Sequence, residues 1–197
     1  MRGKLKELRV RRKHMGAVGM IAIVALIFAF VNSPAIIGAS ATTRKLPIYS
    51  VERSDKVVSL TFDAAWGNED TQELIDILGQ YGVKATFFVV GDWVDKYPES
   101  VKALHDAGHE VMSHSDDHAH FSKLSAAEIK DNINASCDKI EDATGVRPTL
   151  FRAPYGEYDD HVIETVESMG MNTIQWDVDS LDWKEISAAE ITERVTS

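Results

Sequence analysis

The sequence predicts an α/β domain built on a mostly parallel sheet, and two observations support this fold class. Short apolar runs alternate with segments whose apolar residues recur at helical spacing, an order typical of strands joined by helical crossovers. A glycine also separates a predicted helix from the next strand at four positions, Gly82, Gly108, Gly145 and Gly170. With 197 residues, 44% of them hydrophobic, the chain is long enough for one domain with a sizeable core.

The first half of the domain is predicted as three strands separated by two helices. Apolar runs such as VVSLTF indicate buried strands, and Leu74 and Leu78 lie one helical turn apart. The predicted elements are a strand at Val57–Phe62, a helix at Thr71–Tyr81, a strand at Ala85–Val90, a helix at Pro98–Ala107 and a strand at His109–Ser113.

The second half begins with the longest predicted helix, Ser125–Thr144. Ser125 and Glu128 have the spacing of a capping box, and Gly145 follows the end of the helix. The next predicted elements are a strand at Thr149–Pro154, a helix at Asp160–Met169 and a strand at Asn172–Val178.

A second capping box, Ser187 with Glu190, predicts that a helix begins ten residues before the last residue, Ser197. A helix in this scheme should be followed by a strand. We therefore expect a truncated sequence that lacks its last strand and helix, with a natural end as the alternative.

The N-terminal region is predicted to lead the domain out of the cytoplasm. A basic segment, 1–14, precedes the apolar run 15–31, and a linker, 32–55, leads to the domain, 56–197. The run is long enough for a transmembrane anchor, and the basic cluster places the N-terminus inside. A cleaved signal peptide is the alternative, because ASA at 39–41 has the form of a cleavage site.

Charge and cysteine content exclude two classes of function. From Leu46 onward the chain has 30 acidic and only 12 basic residues, so nucleic acid is not an expected partner. Cys137 is the only cysteine of the chain, which rules out an internal disulfide. We interpret it as a small residue of a helix rather than as a nucleophile.

Polar residues follow the predicted strands, at the edge where active sites of parallel α/β folds lie. They are Asp63, His114, Arg152, Asp179, Asp182 and Trp183. His114 and His118 have the HxxxH spacing of a pair of metal ligands. Asp116, Asp117 and His120 are weaker candidates, and His105 and His109 are interpreted as structural or solvated.

Four stretches together identify a family. They are TFDAAWGNE (61–69), HSDDHAHFSKLS (114–125), FRAPYGEYD (151–159) and DVDSLDW (177–183). In this order and spacing they resemble the polysaccharide deacetylases, carbohydrate esterases with a NodB homology domain. TFDAAWG and the N-terminal apolar run look most like the sporulation-associated PdaB-like subgroup, which is linked to peptidoglycan.

The resemblance implies a distorted (β/α) barrel and a divalent metal, usually zinc, that activates an N-acetyl group and water for hydrolysis. By position in the motifs, Asp63 is the base, His114 and His118 bind the metal, and Arg152 orients the base. The remaining roles that the resemblance implies are Asp179 as the partner of the arginine, Trp183 as the lining of the acetyl pocket, and Pro154, Tyr155 and Gly156 as one wall.

Two departures from the family pattern concern the chemistry. The family normally has a second acid, the third metal ligand, where this sequence has Ala64, so we expect weakened metal binding. The family's final motif, with a histidine that protonates the leaving amine, would lie after Ser197. The expected function is deacetylation of cell-wall glycan, with peptidoglycan as the expected substrate. The alternatives are a non-catalytic glycan-binding or structural relative and a deacylase of another acylated sugar.

Overall fold

The computed structural model describes residues 20, 22–30 and 44–197, which fall into two units, 1–44 and 45–197. The second unit carries the predicted α/β domain. Its strands are β1 (Thr61–Ala64), β2 (Thr86–Val89), β3 (Glu110–Ser113), β4 (Leu150–Phe151) and β5 (Asn172–Thr173). Its helices are α1 (Thr71–Gln80), α2 (Gly91–Lys96), α3 (Pro98–Asp106), α4 (Ala126–Thr144), α5 (Asp160–Ser168) and α6 (Ala188–Thr196).

The five strands form one sheet in chain order, and each pairs in parallel with the next. This confirms the predicted parallel α/β class. The register aligns the carboxyl ends of the first four strands, since Ala64 pairs with Val89, Val89 with Ser113, and Ser113 with Phe151. Residues that directly follow these strands therefore meet at one edge of the sheet.

The core consists of two apolar clusters joined by α4. One contains β2 and α3 residues such as Val89 and Leu104, and the other contains Phe151 and Val162 from β4 and α5. Helix α4 contributes Ile140 to the first cluster and three buried residues to the second. A fully buried aliphatic side chain of this kind contributes roughly 1.5–3 kcal/mol. The helix thus fixes the strands on which the polar edge is built.

The start and end of α4 are those that the sequence predicts. The backbone N–H of Ser125 donates to Glu128 Oε2 at 2.8 Å, and the N–H of Glu128 donates to Ser125 Oγ at 3.4 Å. Gly145 ends the helix with φ 75°. A left-handed backbone of this kind favours glycine, so the sequence signal has a direct structural cause.

Three strands and one helix differ from the prediction. Strand β4 includes only Leu150–Phe151 of the predicted Thr149–Pro154. Strand β1 begins at Thr61 rather than Val57, because its neighbour β2 begins at Thr86, the residue that pairs with Thr61. Strand β5 includes only Asn172–Thr173 of the predicted run, followed by an isolated parallel bridge. The prediction also missed the six-residue helix α2, which is too short to show a periodic pattern.

The compact unit begins earlier than the predicted domain boundary at Lys56. Ile48 forms a parallel bridge with Ile174, and the backbone N–H of Lys45 donates to Asp160 Oδ1 at 2.9 Å. Part of the segment interpreted as a linker therefore contacts the domain. The charged, proline-containing sequence of this segment does not predict the contact. A single bridge can form without the alternating apolar pattern by which a strand is recognised.

The predicted membrane segment is only partly described. Residues 20 and 22–30 are helical, and the basic segment 1–14 and residues 32–43 lie outside the described residues. Among the described residues, we find no helix with the length and apolar character needed to cross a bilayer.

Candidate active site

The centre of the site is an ion pair between the ends of β1 and β4. Arg152 Nη1 donates to Asp63 Oδ1 at 2.7 Å, and Nη2 donates to Thr61 Oγ1 at 2.9 Å. The arginine is 2% exposed, and its guanidinium lies 4.1 Å from the centre of the Phe88 ring. Charged hydrogen bonds of this geometry are strong. Arg152 therefore holds the Asp63 carboxylate, whose side chain is 32% exposed, in one orientation at the surface of the site.

His114 follows β3 and lies beside this pair. Its Nδ1 is 2.8 Å from the carbonyl oxygen of Arg152, and its Nε2 is 3.8 Å from Asp63 Oδ2. A carbonyl only accepts, so Nδ1 carries the proton and Nε2 has a free lone pair. Burial lowers the pKa of His114, although the Asp63 carboxylate raises it. The imidazole is thus neutral at pH 7, in the form and tautomer of a metal ligand with a backbone partner.

His118 is the second histidine of the site. Its ring centre lies 5.1 Å from that of His114, and its Nδ1 is buried without a hydrogen-bond partner among the described residues. Burial, followed by the neighbouring His114, lowers the pKa of His118. A buried nitrogen without a partner is costly in an apolar setting and is typical of a group that binds a ligand. Both histidines therefore fit nitrogen ligands of a divalent metal.

The turn that carries the histidines has an unusual backbone. Ser115 and His118 have φ of 74° and 58°, in the left-handed region that non-glycine residues rarely adopt. The backbone N–H of His118 donates to Ser115 Oγ at 2.9 Å, which closes the turn. Strain of this kind persists only where the surrounding structure enforces it, and it is concentrated at functional sites.

Helix α2 supplies the first anchor of this turn. The N–H groups of Gly91 and Asp92 donate to the carbonyls of Ser115 and Asp116 at 2.9 and 2.8 Å. A Cβ at position 91 would collide with the Asp116 side chain, so only glycine permits this approach. The missed helix α2 is therefore part of the framework of the site.

Helix α4 supplies the second anchor through Asn132 and Lys139. Asn132 accepts from the N–H of Asp116 at 2.8 Å and donates to Asp117 Oδ1 at 2.7 Å. Lys139 Nζ lies 2.7 Å from Asp116 Oδ1 and also pairs with Asp95. The carboxylates of Asp116 and Asp117, weaker candidates for metal ligands, thus bind α4. Sequence reasoning missed Asn132 and Lys139, because on a helix such residues look like an ordinary solvated face.

The predicted wall of Pro154, Tyr155 and Gly156 lies beside the histidines. The Tyr155 ring contacts His118 edge-on at 4.6 Å between centres, and His120 stacks on it at 4.4 Å. His120 Nδ1 is 2.8 Å from Glu157 Oε2, so His120 is held in the wall.

Gly156 has φ 64° and packs against a residue that the sequence analysis missed. A Cβ at this position would lie 2.8 Å from the Trp176 ring. The same ring is 5.7 Å from the Arg152 guanidinium, so Trp176 borders both the wall and the ion pair. The predicted strand Asn172–Val178 contains Trp176, so the position of this residue beyond the end of β5 could not be read from the sequence.

Asp179 and Trp183 do not join the other predicted residues. Asp179 Oδ1 accepts from the N–H of Leu181 at 2.9 Å, whereas the guanidinium of Arg152, within the described part of the chain, donates to Asp63 and Thr61. Trp183 is 70% exposed. The physical reason is local, because Asp179 bonds within its own turn rather than across the site.

The side chains of the site provide only part of the ligand set that a catalytic metal ion normally has. Within the described ranges, no group of three His, Cys, Asp or Glu side chains is placed to hold a metal ion. His114 and His118 offer two nitrogen atoms, but Ala64 packs with its methyl group against the apolar cluster that includes Val89. Catalytic zinc normally has three protein ligands, so the fit is that of a site with a reduced ligand set.

Fold and site together define an α/β domain with a carboxylate and two histidines at its strand ends, an arrangement suited to metal-assisted hydrolysis. The family model described as polysaccharide deacetylase matches residues 50–174. The chain belongs to this family, which confirms the resemblance predicted from the four motifs.

Relatives of the chain include named deacetylases. It is 40% identical over 146 residues to the peptidoglycan-N-acetylmuramic acid deacetylase PdaC of Bacillus subtilis, covering 74% of this chain and 31% of that protein. It is 38% identical over 151 residues to the peptidoglycan-N-acetylglucosamine deacetylase PgdA of Listeria monocytogenes, covering 77% and 32%. The chain thus spans about a third of the length of these relatives.

Solved structures include an inactive relative. A pseudoenzyme of carbohydrate esterase family 4 from Bacillus anthracis is 37% identical, with a TM-score of 0.73 over 76% of this chain and 53% of that one. A mutant of it with restored enzymatic activity is 39% identical, with the same TM-score, over 76% and 55%. These neighbours confirm the predicted deacetylase fold. Membership of the family alone does not decide activity.

Proposed function

We propose that the protein to which this chain belongs removes N-acetyl groups from cell-wall glycan, with peptidoglycan as the substrate and zinc as the metal. One observation carries the proposal: the Asp63 carboxylate is held by Arg152 at 2.7 Å and lies 3.8 Å from the free Nε2 of His114. The names of the peptidoglycan deacetylases among the relatives support the choice of substrate.

The roles of the residues follow from their surroundings. Asp63 is ordered yet open to solvent, so it can accept a proton from an attacking water. Arg152 fixes the carboxylate but has no exposed face of its own, so it orients the base. His114 and His118 would hold the metal, which when bound polarises the acetyl carbonyl and stabilises the developing oxyanion. Tyr155 borders the place where the acetyl group would lie.

Three assigned roles remain part of the proposal. Asp179 would assist Arg152, Trp183 would line the acetyl pocket, and Ala64 would lower metal affinity by removing a ligand. Closing the site would require the loop that carries Asp179 and Trp183 to move toward the ion pair, since Trp183 is now 70% exposed.

The test is release of acetate by the complete gene product supplied with zinc. N-acetylated peptidoglycan and chitin oligomers serve as substrates, and Asp63→Asn should abolish release because the amide cannot accept the proton. His105→Gln, on the last turn of α3, is the matched control and should retain full activity. The absence of acetate from both substrates would contradict the proposal.

A second candidate is a non-catalytic glycan-binding protein of the same family. Ala64 favours it, because the third ligand is missing, and so does the likeness to a pseudoenzyme. The variant Ala64→Asp distinguishes the deacetylase from the non-catalytic glycan-binding protein. If the wild type is inactive while this variant gains zinc-dependent acetate release, the binding function is supported. If the wild type releases acetate, it is excluded.

We also propose that the basic segment and the apolar run 15–31 anchor the protein with its domain outside the cytoplasm, in a sporulation-type context. The positive charge before the run and the glycan substrate support this placement. Recovery in the membrane fraction, with the domain sensitive to added protease on intact cells, is the expected result.

A further inference from the structure

Two segments at the strand ends are joined by side chains to which the proposed function assigns no role. His120 lies in the segment after β3, two residues beyond His118, and Glu157 lies in the segment after β4, two residues beyond Tyr155. His120 Nδ1 donates to Glu157 Oε2 at 2.8 Å, and Ser122 Oγ donates to Glu157 Oε1. The Glu157 carboxylate therefore binds the segment of the histidines at two points. We call the side chains of His120, Ser122 and Glu157 the latch.

The latch fixes the ring of His120. A carboxylate only accepts, so Nδ1 of the imidazole carries the proton in the bond to Glu157. The ring then stacks on Tyr155, with 13° between the two planes and 4.4 Å between the centres. The side chains of His120 and Glu157 are 50% and 29% exposed. Exposed pairs of this kind add little to the free energy of unfolding, so the latch orders its neighbours locally.

Tyr155 connects the latch to the second histidine of the site. Its backbone has φ 60°, a left-handed conformation that a residue other than glycine keeps only where its surroundings enforce it. His120 covers one face of the Tyr155 ring, and the same ring meets His118 edge-on at 4.6 Å between centres. Breaking the latch would release His120 and remove one of the surfaces that keep Tyr155 against His118.

The orientation of the His118 ring depends on such contacts. A histidine that binds a metal is normally oriented by a hydrogen bond of its second nitrogen, as His114 is by the carbonyl of Arg152. Nδ1 of His118 has no such partner among the described residues. Three rings surround it instead, at 4.6–5.1 Å between centres, and they belong to Trp66, His114 and Tyr155. Aromatic packing thus takes the place of the orienting hydrogen bond.

We propose that His120 and Glu157 are positioning residues of the metal site, which hold Tyr155 against His118 and so fix the direction of that ligand. The inference rests on the proposed metal-dependent function and adds a determinant of metal affinity that lies outside the ligands. The latch matters more here than beside a complete ligand set, because Ala64 supplies no third ligand. With fewer ligands, their order in the metal-free chain determines a larger share of the affinity.

The first test measures the zinc dissociation constant of the full chain by competition with a chromophoric chelator. Glu157→Ala removes both hydrogen bonds of the latch and should weaken zinc binding about tenfold, as for other residues that orient metal ligands. The urea midpoint of unfolding should stay unchanged, because the latch is exposed. Glu157→Gln should retain most of the affinity, since its amide oxygen can accept from His120 and its amide nitrogen can donate to Ser122.

Glu141→Ala is the matched control for this test. Glu141 is another partly exposed glutamate, but it pairs with Arg147 beyond the end of α4, so its removal should leave zinc affinity unchanged. Unchanged zinc affinity in Glu157→Ala, or an equal loss in Glu141→Ala, would overturn the inference. A loss of affinity that is matched by a fall in the urea midpoint would overturn it too, because the role would then be structural.

The second test uses the metal-free chain and so decides the inference even if the wild type binds no zinc. The ring current of Tyr155 shifts the imidazole C–H resonances of His118 in NMR spectra. Glu157→Ala should move these resonances toward their positions in Tyr155→Leu, whereas Glu141→Ala should leave them in place. Resonances that do not move in Glu157→Ala would contradict the positioning role. A shift without any acetate release by the wild type would support that role while contradicting the proposed deacetylation.

Discussion

The two sides of the candidate site differ in how their side chains are held. On the side of β1, β3 and β4, Asp63, His114 and Arg152 bind one another through contacts of 2.7–3.8 Å. On the side of β5, Asp179 bonds within its own turn and Trp183 is exposed. The comparison shows that residues at the end of a paired strand, or directly after it, are ordered by the sheet, whereas residues farther along a loop are not.

The sheet itself explains the difference. The pairs of Val89 with Ser113 and of Ser113 with Phe151 align the strand ends, so His114 and Arg152 emerge at a common edge. Strands β4 and β5 both have two residues, but Arg152 directly follows β4, whereas Asp179 lies well beyond the end of β5. Beyond it, Leu181 and Glu185 adopt φ of 55° and 56°, on either side of a short 3-10 turn. That loop is organised locally rather than by the site.

The largest difference between the two sides is expected for Arg152→Ala. The change removes the buried guanidinium, its bonds to Asp63 and Thr61, and its contact with Phe88, and should lower the free energy of unfolding by about 3 kcal/mol. Urea denaturation measures this loss. Arg152→Met restores apolar packing and should recover part of it. A loss below about 0.5 kcal/mol would show that the ordered side does not depend on this residue.

The next effect concerns Asn132, which positions the turn of the histidines. Asn132→Ala removes two hydrogen bonds to that turn, and we expect about a tenfold or larger loss of zinc affinity, as for other residues that orient metal ligands. Competition with a chromophoric chelator measures the affinity. Asn134→Ala is the control on the same helix, because Asn134 binds Arg147 instead. Equal zinc affinities for both variants would mean that the anchor does not matter.

Acidification should destabilise the domain through His109, which precedes β3 at the end opposite to the site. Burial lowers the pKa of His109, whose Nδ1 accepts the backbone N–H of Ala85 at 3.2 Å between β2 and β3. The folded pKa lies below the unfolded value of about 6.5, so the stabilisation is present above that value and is lost as pH falls through the folded pKa. Unfolding measured from pH 7 to 5 should show a smaller loss for His109→Gln. An identical pH dependence would contradict this origin.

The smallest effect is expected for Asp179→Asn. The side chain of Asp179 caps its own turn, and asparagine can accept the same hydrogen bond, so the free energy of unfolding should change by less than about 0.5 kcal/mol. Thermal or urea unfolding tests this. A loss approaching that of Arg152→Ala would mean that Asp179 pairs with the arginine in solution and that the two sides are equivalent.

Much of the fold could be predicted from the sequence, because its signals are local. The capping box of Ser125 and Glu128 and the left-handed Gly145 fixed the ends of α4 to within one residue. The limits of β1 and β5 could not be read in this way. A strand exists only where its neighbour offers a partner, and that information is not in the strand's own residues.

The site was predictable where chemistry and strand ends coincide, as for Asp63, His114, His118 and Arg152. The supporting residues were not, because Asn132 and Lys139 act through contacts between distant segments. Trp66 stood in a quoted motif, but only the structure shows that it is both exposed and fixed. Whether Asp179 and Trp183 have the roles that the family implies stays a prediction.

The most direct test of the account is the zinc dissociation constant of the chain, measured by competition with a chelator in three proteins. The account predicts one zinc per wild-type chain, at least tenfold weaker binding in His118→Ala, and tighter binding in Ala64→Asp, which restores a third ligand. Zinc affinity that is unchanged by His118→Ala, or no binding even after Ala64→Asp, would contradict the claim that these histidines form a metal site beside Asp63.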